Sequence, residues 1–318
     1  MDPRQQLMVD HLAAQAGVSV VLLNLTTATS GERPEASSTA SGRSPLGADD
    51  TRGGFADVDR DPNPGRFVGV LDAIAAMGFV PAYKRRTYAA LGIRPGHALL
   101  DVGCGTGDDV LELARLVGAG GRVVGIDRSE TVIAEARRRA RGTDLPAEFA
   151  LGDAGALAVA DAGFDGCRLD RVLHHLDDPG RAVAEAVRVA RPGARVVAFE
   201  PDFETALVDG ADRALTRRLM NRFCDGFRQG WMGRRVPALF RAAGLRELTV
   251  EPVAVLLTDY AEGNTILALE GTVGRAAAEG AAWLAQLQAA SEAGRFFGSI
   301  TYFLVGGQKP HARPGGTR

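Results

Sequence analysis

Apolar positions along this chain change rhythm several times, and each change marks an element. Phe67, Val70, Leu71, Ile74 and Met77 recur at helical spacing, which predicts an amphipathic helix ending at Gly78. Pro81 opens a second helix, carrying Tyr83, Lys84, Arg85, Arg86 and Tyr88 and closed by Gly92. Strand-like apolar runs near 97–102, 122–126, 147–151, 164–169 and 194–200 then alternate with helical stretches near 108–117, 129–141, 179–190 and 233–243. That alternation predicts βαβ units and a parallel sheet. Asp178-Pro179 is a cap and first-turn pair for one helix, and Pro192-Gly193 ends it. Beyond Glu200 the rhythm breaks. A helical insertion near 204–230 precedes an alternating strand at 245–250, and a second helical insertion near 262–294 precedes a last strand near 296–305.

The first strand, Leu99-Leu100-Asp101-Val102, runs into the loop Gly103-Cys104-Gly105-Thr106-Gly107, and Asp127 ends the second strand. A strand, a glycine turn, a helix and an acid after the next strand form a nucleotide-type half-site. The glycine spacing is G-x-G-x-G, and Asp108 and Asp109 stand where a dinucleotide loop would carry its third glycine. Two carboxylates at that helix mouth would repel a pyrophosphate, which disfavours NAD. A ligand with a ribose and a cationic amino-acid arm fits the pattern better.

Asp101-Val102-Gly103-Cys104-Gly105-Thr106-Gly107, Val124-Gly125-Ile126-Asp127, Gly152-Asp153-Ala154, Phe164-Asp165, Leu173-His174-His175-Leu176 with Asp178-Pro179, and Arg191-Pro192-Gly193 follow one another in order. In that order and spacing the sequence resembles the class I S-adenosylmethionine-dependent methyltransferases. Over about residues 66–305 it is most similar to their small-molecule branch, which includes ubiquinone and menaquinone C-methyltransferases and bacterial natural-product methyltransferases. The resemblance implies an α/β, Rossmann-like, seven-stranded and mostly parallel sheet, its last strand antiparallel, with helices on both faces and the insertions as a helical lid. S-adenosyl-L-methionine is the implied cofactor.

The same resemblance implies the site. Gly103, Gly105 and Gly107 let the backbone approach the methionine arm and ribose, and Asp101 receives the ammonium. Asp127, twenty positions after Gly107, has two oxygens for the two ribose hydroxyls. Asp153 and Ala154 meet the adenine, Arg128 lies beside it, and Leu169 with Asp170 forms the floor under the methionine portion. Several residues also have plain structural readings: Asp153 as a helix cap, Arg128 as a solvated side chain, and Asp170 as a partner of Arg171. His175 is the candidate general base, because histidine titrates near neutral pH; its alternative, shared with His174, is a packed corner residue. Glu200 and Asp202 face the substrate side or serve a turn. No paired His or Cys stands at metal-ligand spacing, so no metal site is expected. Phe203, Phe223, Phe227, Trp231, Met232, Phe296 and Phe297 supply core and, where they face inward, an apolar pocket for a ring-bearing substrate.

Composition narrows the partners. The chain has 318 residues, 46% of them hydrophobic, and a net charge of −2. It can bury a large core and lacks the charge of a phosphate-tracking nucleic-acid binder. The run Arg137-Arg138-Arg139 reads as a solvated helix face. Val18 to Leu25 is too short to span a bilayer, and residues 28–65 are rich in Ser, Thr, Gly, Pro and Asp. Residues 1–65 are therefore expected to be an extension and flexible linker, and 66–310 the cofactor-binding domain. Cys104, Cys167 and Cys224 form no C-x-x-C pair and suit a cytoplasmic protein. The expected activity is methyl transfer to a small, fairly apolar metabolite in bacterial secondary metabolism such as antibiotic biosynthesis, with neither nucleic acid nor membrane as partner. A homodimer, a cyclase or other ring-forming enzyme on the same fold, and a non-catalytic ligand-binding partner of a biosynthetic complex stay open.

Overall fold

The computed structural model describes Phe55, residues 57–273 and residues 278–311. The apolar stretch Val18 to Leu25 lies outside them. The helices α1 (Gly65–Ala75) and α2 (Val80–Leu91) come first. The alternating core follows as β1 (Ala98–Val102), α3 (Asp108–Val117), β2 (Arg122–Asp127), α4 (Glu130–Ala140), β3 (Ala147–Leu151), β4 (Phe164–Asp170), α5 (Pro179–Val189) and β5 (Ala190–Val208). The remainder runs α6 (Arg213–Asp225), α7 (Met232–Ala242), β6 (Arg246–Leu257), α8 (Tyr260–Leu267), α9 (Leu269–Val273), α10 (Ala278–Glu292) and β7 (Gly298–Gln308).

Seven strands form one sheet in the order β3-β2-β1-β4-β5-β7-β6. β1 to β5 pair in parallel, and β7 inserts antiparallel between β5 and β6. Alternation along each strand feeds two cores. Leu99, Val123, Val197 and Phe199 pack with residues of α1, α2, α3 and α6 on one face. Leu100, Val124, Cys167 and Val196 pack with α5 and α7 on the other. The strand order reverses between β1 and β4, and a crevice opens at the carboxyl ends of these strands, the usual place for a ligand in such sheets.

Three differences from the sequence expectations have physical causes. β5 starts at Ala190 rather than 194 because Arg191-Pro192-Gly193 continues the strand through an irregularity in its pairing with β4. β5 and β6 extend to Val208 and Leu257, because long β7 gives both an antiparallel partner. The packed domain also begins ahead of residue 66. Val58 is buried, Phe55 sets its ring edge-on to Phe67 at 5.1 Å, and Asp59 accepts from Ser129 Oγ, Glu130 N and Thr131 N at 2.7–3.1 Å. Asp59 thereby satisfies free N–H groups at the start of α4, beside the end of β2.

Candidate active site

The crevice holds a cavity of about 970 Å³, lined by the glycine loop at one end and by aromatic side chains at the other. Its shape begins with the β1–α3 turn. Gly103 and Gly107 have φ of +72° and +83°, and a Cβ on Gly107 would stand 2.6 Å from the Phe149 ring. Only glycine allows that backbone to lie so close to β3 and α4. Gly105 presents its N–H to Asp127 Oδ2 at 3.0 Å, while Ser129 N–H reaches Oδ1 at 3.0 Å. The carboxylate is thus fixed at the cavity edge with one backbone donor on each oxygen. Burial raises the Asp127 carboxyl above its ordinary range, against the pull of these N–H groups.

Gly103, Gly105, Asp127, Arg128, Asp153 and Ala154 all line the cavity. Asp153 Oδ1 accepts from Gly155 N–H at 2.8 Å, which holds the β3 turn. Gly107 stands behind the wall as the N-cap of α3, and Leu169 is fully buried in the core.

Asp101 differs from the expectation that it receives an ammonium group. It is buried, and Arg168 Nη1 donates to its Oδ1 at 2.8 Å. Arg168, itself 1% exposed, also contacts Asp109 at 3.2 Å, Thr87 Oγ1 at 3.1 Å and Asp170. Burial pushes Asp101 up to about 6 even with the Arg168 charge beside it. Lys84 on α2 bonds Asp109 and, at 2.7 Å, Asp170, and Tyr88 donates to Asp109. Burial opposes ionisation of Asp109, but the Arg168 and Lys84 charges hold it well below the usual range. Asp108 pairs with Arg139 at 2.9 Å. Both acids after the glycine loop are therefore neutralised, so the repulsion inferred from their sequence position does not operate.

The histidine pair divides its roles. His174 Nδ1 lies 2.7 Å from Glu200 Oε2, and Glu200 also accepts from the N–H groups of Val172 and Leu173 at 2.7 Å each. Glu200 has no exposed surface; burial pushes it up to about 8 against the pull of those backbone donors. Burial and the nearby Arg171 charge push His174 down to about 3. Above about pH 8 Glu200 is ionised and the shared proton rests on His174 Nδ1; below it the pair holds one proton more and both side chains are uncharged. In the ionised pair Nε2 is the ring nitrogen left to accept a proton, and His174 lines the cavity. His175 lines the cavity too, but its ring rests on His174 at 3.8 Å and Phe55 at 5.6 Å. Burial and the His174 and Arg171 charges depress it well below its usual value. Among the described residues none hydrogen-bonds its ring nitrogens as Glu200 does Nδ1 of His174. Asp202 is taken by Arg234.

At the far end, Phe203 and Phe227 stack at 3.6 Å with Phe223 edge-on, and all three line the cavity. Thr265, Ile266 and Ala268, around α8, close over it. Met232 is instead core on the opposite face, Phe296 packs beneath α8, and Trp231 and Phe297 are exposed. No cluster of three metal-ligating side chains occurs among the described residues. No single described helix is long and apolar enough to cross a membrane.

Known proteins resemble the chain in sequence and in fold. Residues 93–244 match the model of a methyltransferase-domain family. The chain is 38% identical over 250 residues to an uncharacterized 37.1 kDa protein of a Streptomyces fradiae transposon, covering 75% of this chain and 70% of that one. It is 32% identical over 133 residues to a demethylmenaquinone methyltransferase of Desulfitobacterium hafniense, covering 41% of this chain and 53% of the relative. Among solved structures, that of the [4+2]-cyclase SpnF superposes with a TM-score of 0.51 at 21% identity, over 85% of this chain and 98% of that one. The chain belongs to the class I small-molecule methyltransferases, enzymes that use S-adenosylmethionine.

Proposed function

We propose that the protein transfers a methyl group from S-adenosylmethionine to a small, ring-bearing and mainly apolar metabolite in bacterial natural-product biosynthesis. One observation carries this reading: a single cavity joins Asp127 and Asp153 to the Phe203–Phe223–Phe227 cluster, with His174 on its wall. The residues fit the cofactor. Asp127 retains lone pairs for two ribose hydroxyls, Asp153 and Ala154 stand where an adenine edge would lie, and Gly105 leaves the backbone accessible. Lys84, Asp109 and Asp170 make a cavity wall of both charges, matched to a zwitterionic amino-acid arm. When bound, the cofactor supplies an electrophilic methyl on a sulfonium.

The protein's own residues hold the acceptor against that methyl, exclude water and take a proton. Glu200 fixes the His174 tautomer, and His174 Nε2 accepts the acceptor's proton. The demethylmenaquinone methyltransferase relative, named for a ring-bearing quinone, supports a ring acceptor. Incubation with methyl-labelled cofactor and a panel of naphthols and hydroxyquinones tests the reading. Label is expected in an organic-extractable product; binding of cofactor with no labelled product across the panel counts against it.

A further inference from the structure

Arg171 follows the end of β4 in a conformation that L-residues avoid, with φ of +59°. Its N–H is tied to Phe199 O at 2.8 Å, which fixes the backbone over the crevice. Arg171 lines the cavity, and its charge acts on His174 and Tyr302. No described residue hydrogen-bonds this guanidinium: Asp170 Oδ1 approaches Nε only to 3.5 Å, beyond normal hydrogen-bond length. The other oxygen of Asp170, Oδ2, accepts from Lys84 and Arg168. A rigid fork of donors is thus held in a strained backbone on the cavity wall, with no described protein acceptor at normal hydrogen-bond length. Strain of this kind persists where the surroundings fix it, and it clusters at ligand sites.

We propose that Arg171 is the acceptor-recognition residue and that it pairs with the oxygen of an ionisable ring hydroxyl, a phenol or an enol. This rests on the methyl-transfer reading above and names its substrate class. Aromatic rings and a histidine select a ring hydroxyl over other oxyanions. Tyr302, stacked on the buried Phe199 at 5.0 Å, lines the cavity as Arg171 does, and Phe203 and Phe227 add to its aromatic wall. His174, uncharged and oriented by Glu200, stands ready for the hydroxyl proton, which a carboxylate would not bring. The charged groups around Arg171 are Asp170 on β4, Lys84 on α2 and Asp109 on α3; the titratable ones are Tyr83, Tyr302, His174 and His175. Asp109 and Asp170 are each engaged by Lys84 and Arg168, so among the described residues Arg171 has only the 3.5 Å approach of Asp170 Oδ1 and keeps donors for a ligand oxygen.

The test uses the full chain saturated with S-adenosylhomocysteine and 4-nitrophenol as probe, whose visible absorbance reports its ionisation. Bound to the wild type, the probe is expected to lose its proton at least about one pH unit lower than in water, as a neighbouring cation dictates. Arg171→Gln removes that shift, Arg171→Lys restores part of it, and 4-nitroanisole binds at least tenfold more weakly than the phenol. Arg171→Gly, which accepts the positive φ, serves as a second variant and must also lose the shift if Arg171→Gln fails to fold. An unshifted probe, an equal shift in the wild type and in Arg171→Gln or Arg171→Gly, or 4-nitrobenzoate binding more tightly than the phenol overturns the assignment. Calorimetry with S-adenosylhomocysteine on the same wild-type sample separates the two levels: no binding there sinks the methyltransferase reading, whereas binding with no probe shift sinks only the role of Arg171.

Discussion

Asp127→Asn separates what this carboxylate does for the fold from what it does for the cofactor. In the cofactor-free protein each oxygen takes one backbone N–H at 3.0 Å, from Gly105 and from Ser129. Burial raises its pKa above the ordinary 3.8. A carboxyl with a raised folded pKa contributes stability below its ordinary range and loses it as pH rises through the folded value. At neutral pH the buried charge is therefore a cost, and asparagine removes it while giving up one of the two N–H bonds, worth about 0.5–1.5 kcal/mol. The two changes oppose each other, so the melting temperature should shift little. Cofactor affinity should fall much further. The charged acceptor would hold two ribose hydroxyls at about 1.5–3 kcal/mol each, whereas asparagine keeps one bond of about 0.5–1.5 kcal/mol. The net loss, taken as roughly 2–4 kcal/mol, is about 30- to 900-fold in dissociation constant. Calorimetry with S-adenosylmethionine and S-adenosylhomocysteine measures it. A dissociation constant within threefold of the wild type, in a protein that melts normally, would refute the ribose assignment.

Three further outcomes follow from the same geometry. Arg168→Met strands Asp101, Asp109 and Asp170 around Lys84, so it should cost about 3–5 kcal/mol and lower the melting temperature by roughly 10 °C; an unchanged melt would show that the buried network is not the one described. Asp59→Ala should cost about 0.5–2 kcal/mol at neutral pH, the range for a lost helix cap. Burial opposes ionisation of Asp59, but hydrogen bonds from Thr131, Ser129 and Glu130 hold its pKa below 3.8. Its contribution is therefore present above that value and lost as pH falls through the folded one, and urea melts at neutral and acid pH should show the penalty shrinking in acid. His174→Gln should cut turnover about 10²–10⁴-fold at unchanged cofactor affinity, while His175→Asn should lower thermal stability and stay within about tenfold in turnover; the reverse ranking would return the base role to His175.

The sheet was legible because it rests on local signals. Apolar runs bounded by glycine and proline give β1 to β4, and the cap Asp178 marks the start of α5. The glycine loop and Asp127 were legible for the same reason, as neighbours across two adjacent strands. Contacts between distant positions were not. Arg168 is 67 residues from Asp101, and no spacing rule links a strand arginine to a strand aspartate. Glu200 lies 26 residues beyond His174, so two adjacent histidines looked equivalent until that partner was placed. Phe55 and residues 57–60 belong to a stretch with the composition of a linker, yet Phe55 packs on α1 and Asp59 caps α4, with Val58 buried between them in sequence. The Asp170–Arg171 pairing weighed from sequence is present as a 3.5 Å ion pair through Oδ1, while Lys84 and Arg168, which no local spacing pointed to, take Oδ2 of the same carboxylate.

The central claim, methyl transfer rather than ring closure or silent binding, meets its most direct test in a mass balance. Full-length protein, S-adenosylmethionine and a hydroxylated naphthalene or quinone acceptor would be incubated, and product mass and S-adenosylhomocysteine quantified together. The account predicts a product one methyl group heavier and one S-adenosylhomocysteine for every acceptor consumed. A product of unchanged mass formed without S-adenosylhomocysteine, or bound cofactor that stays intact beside an unaltered acceptor, would contradict it.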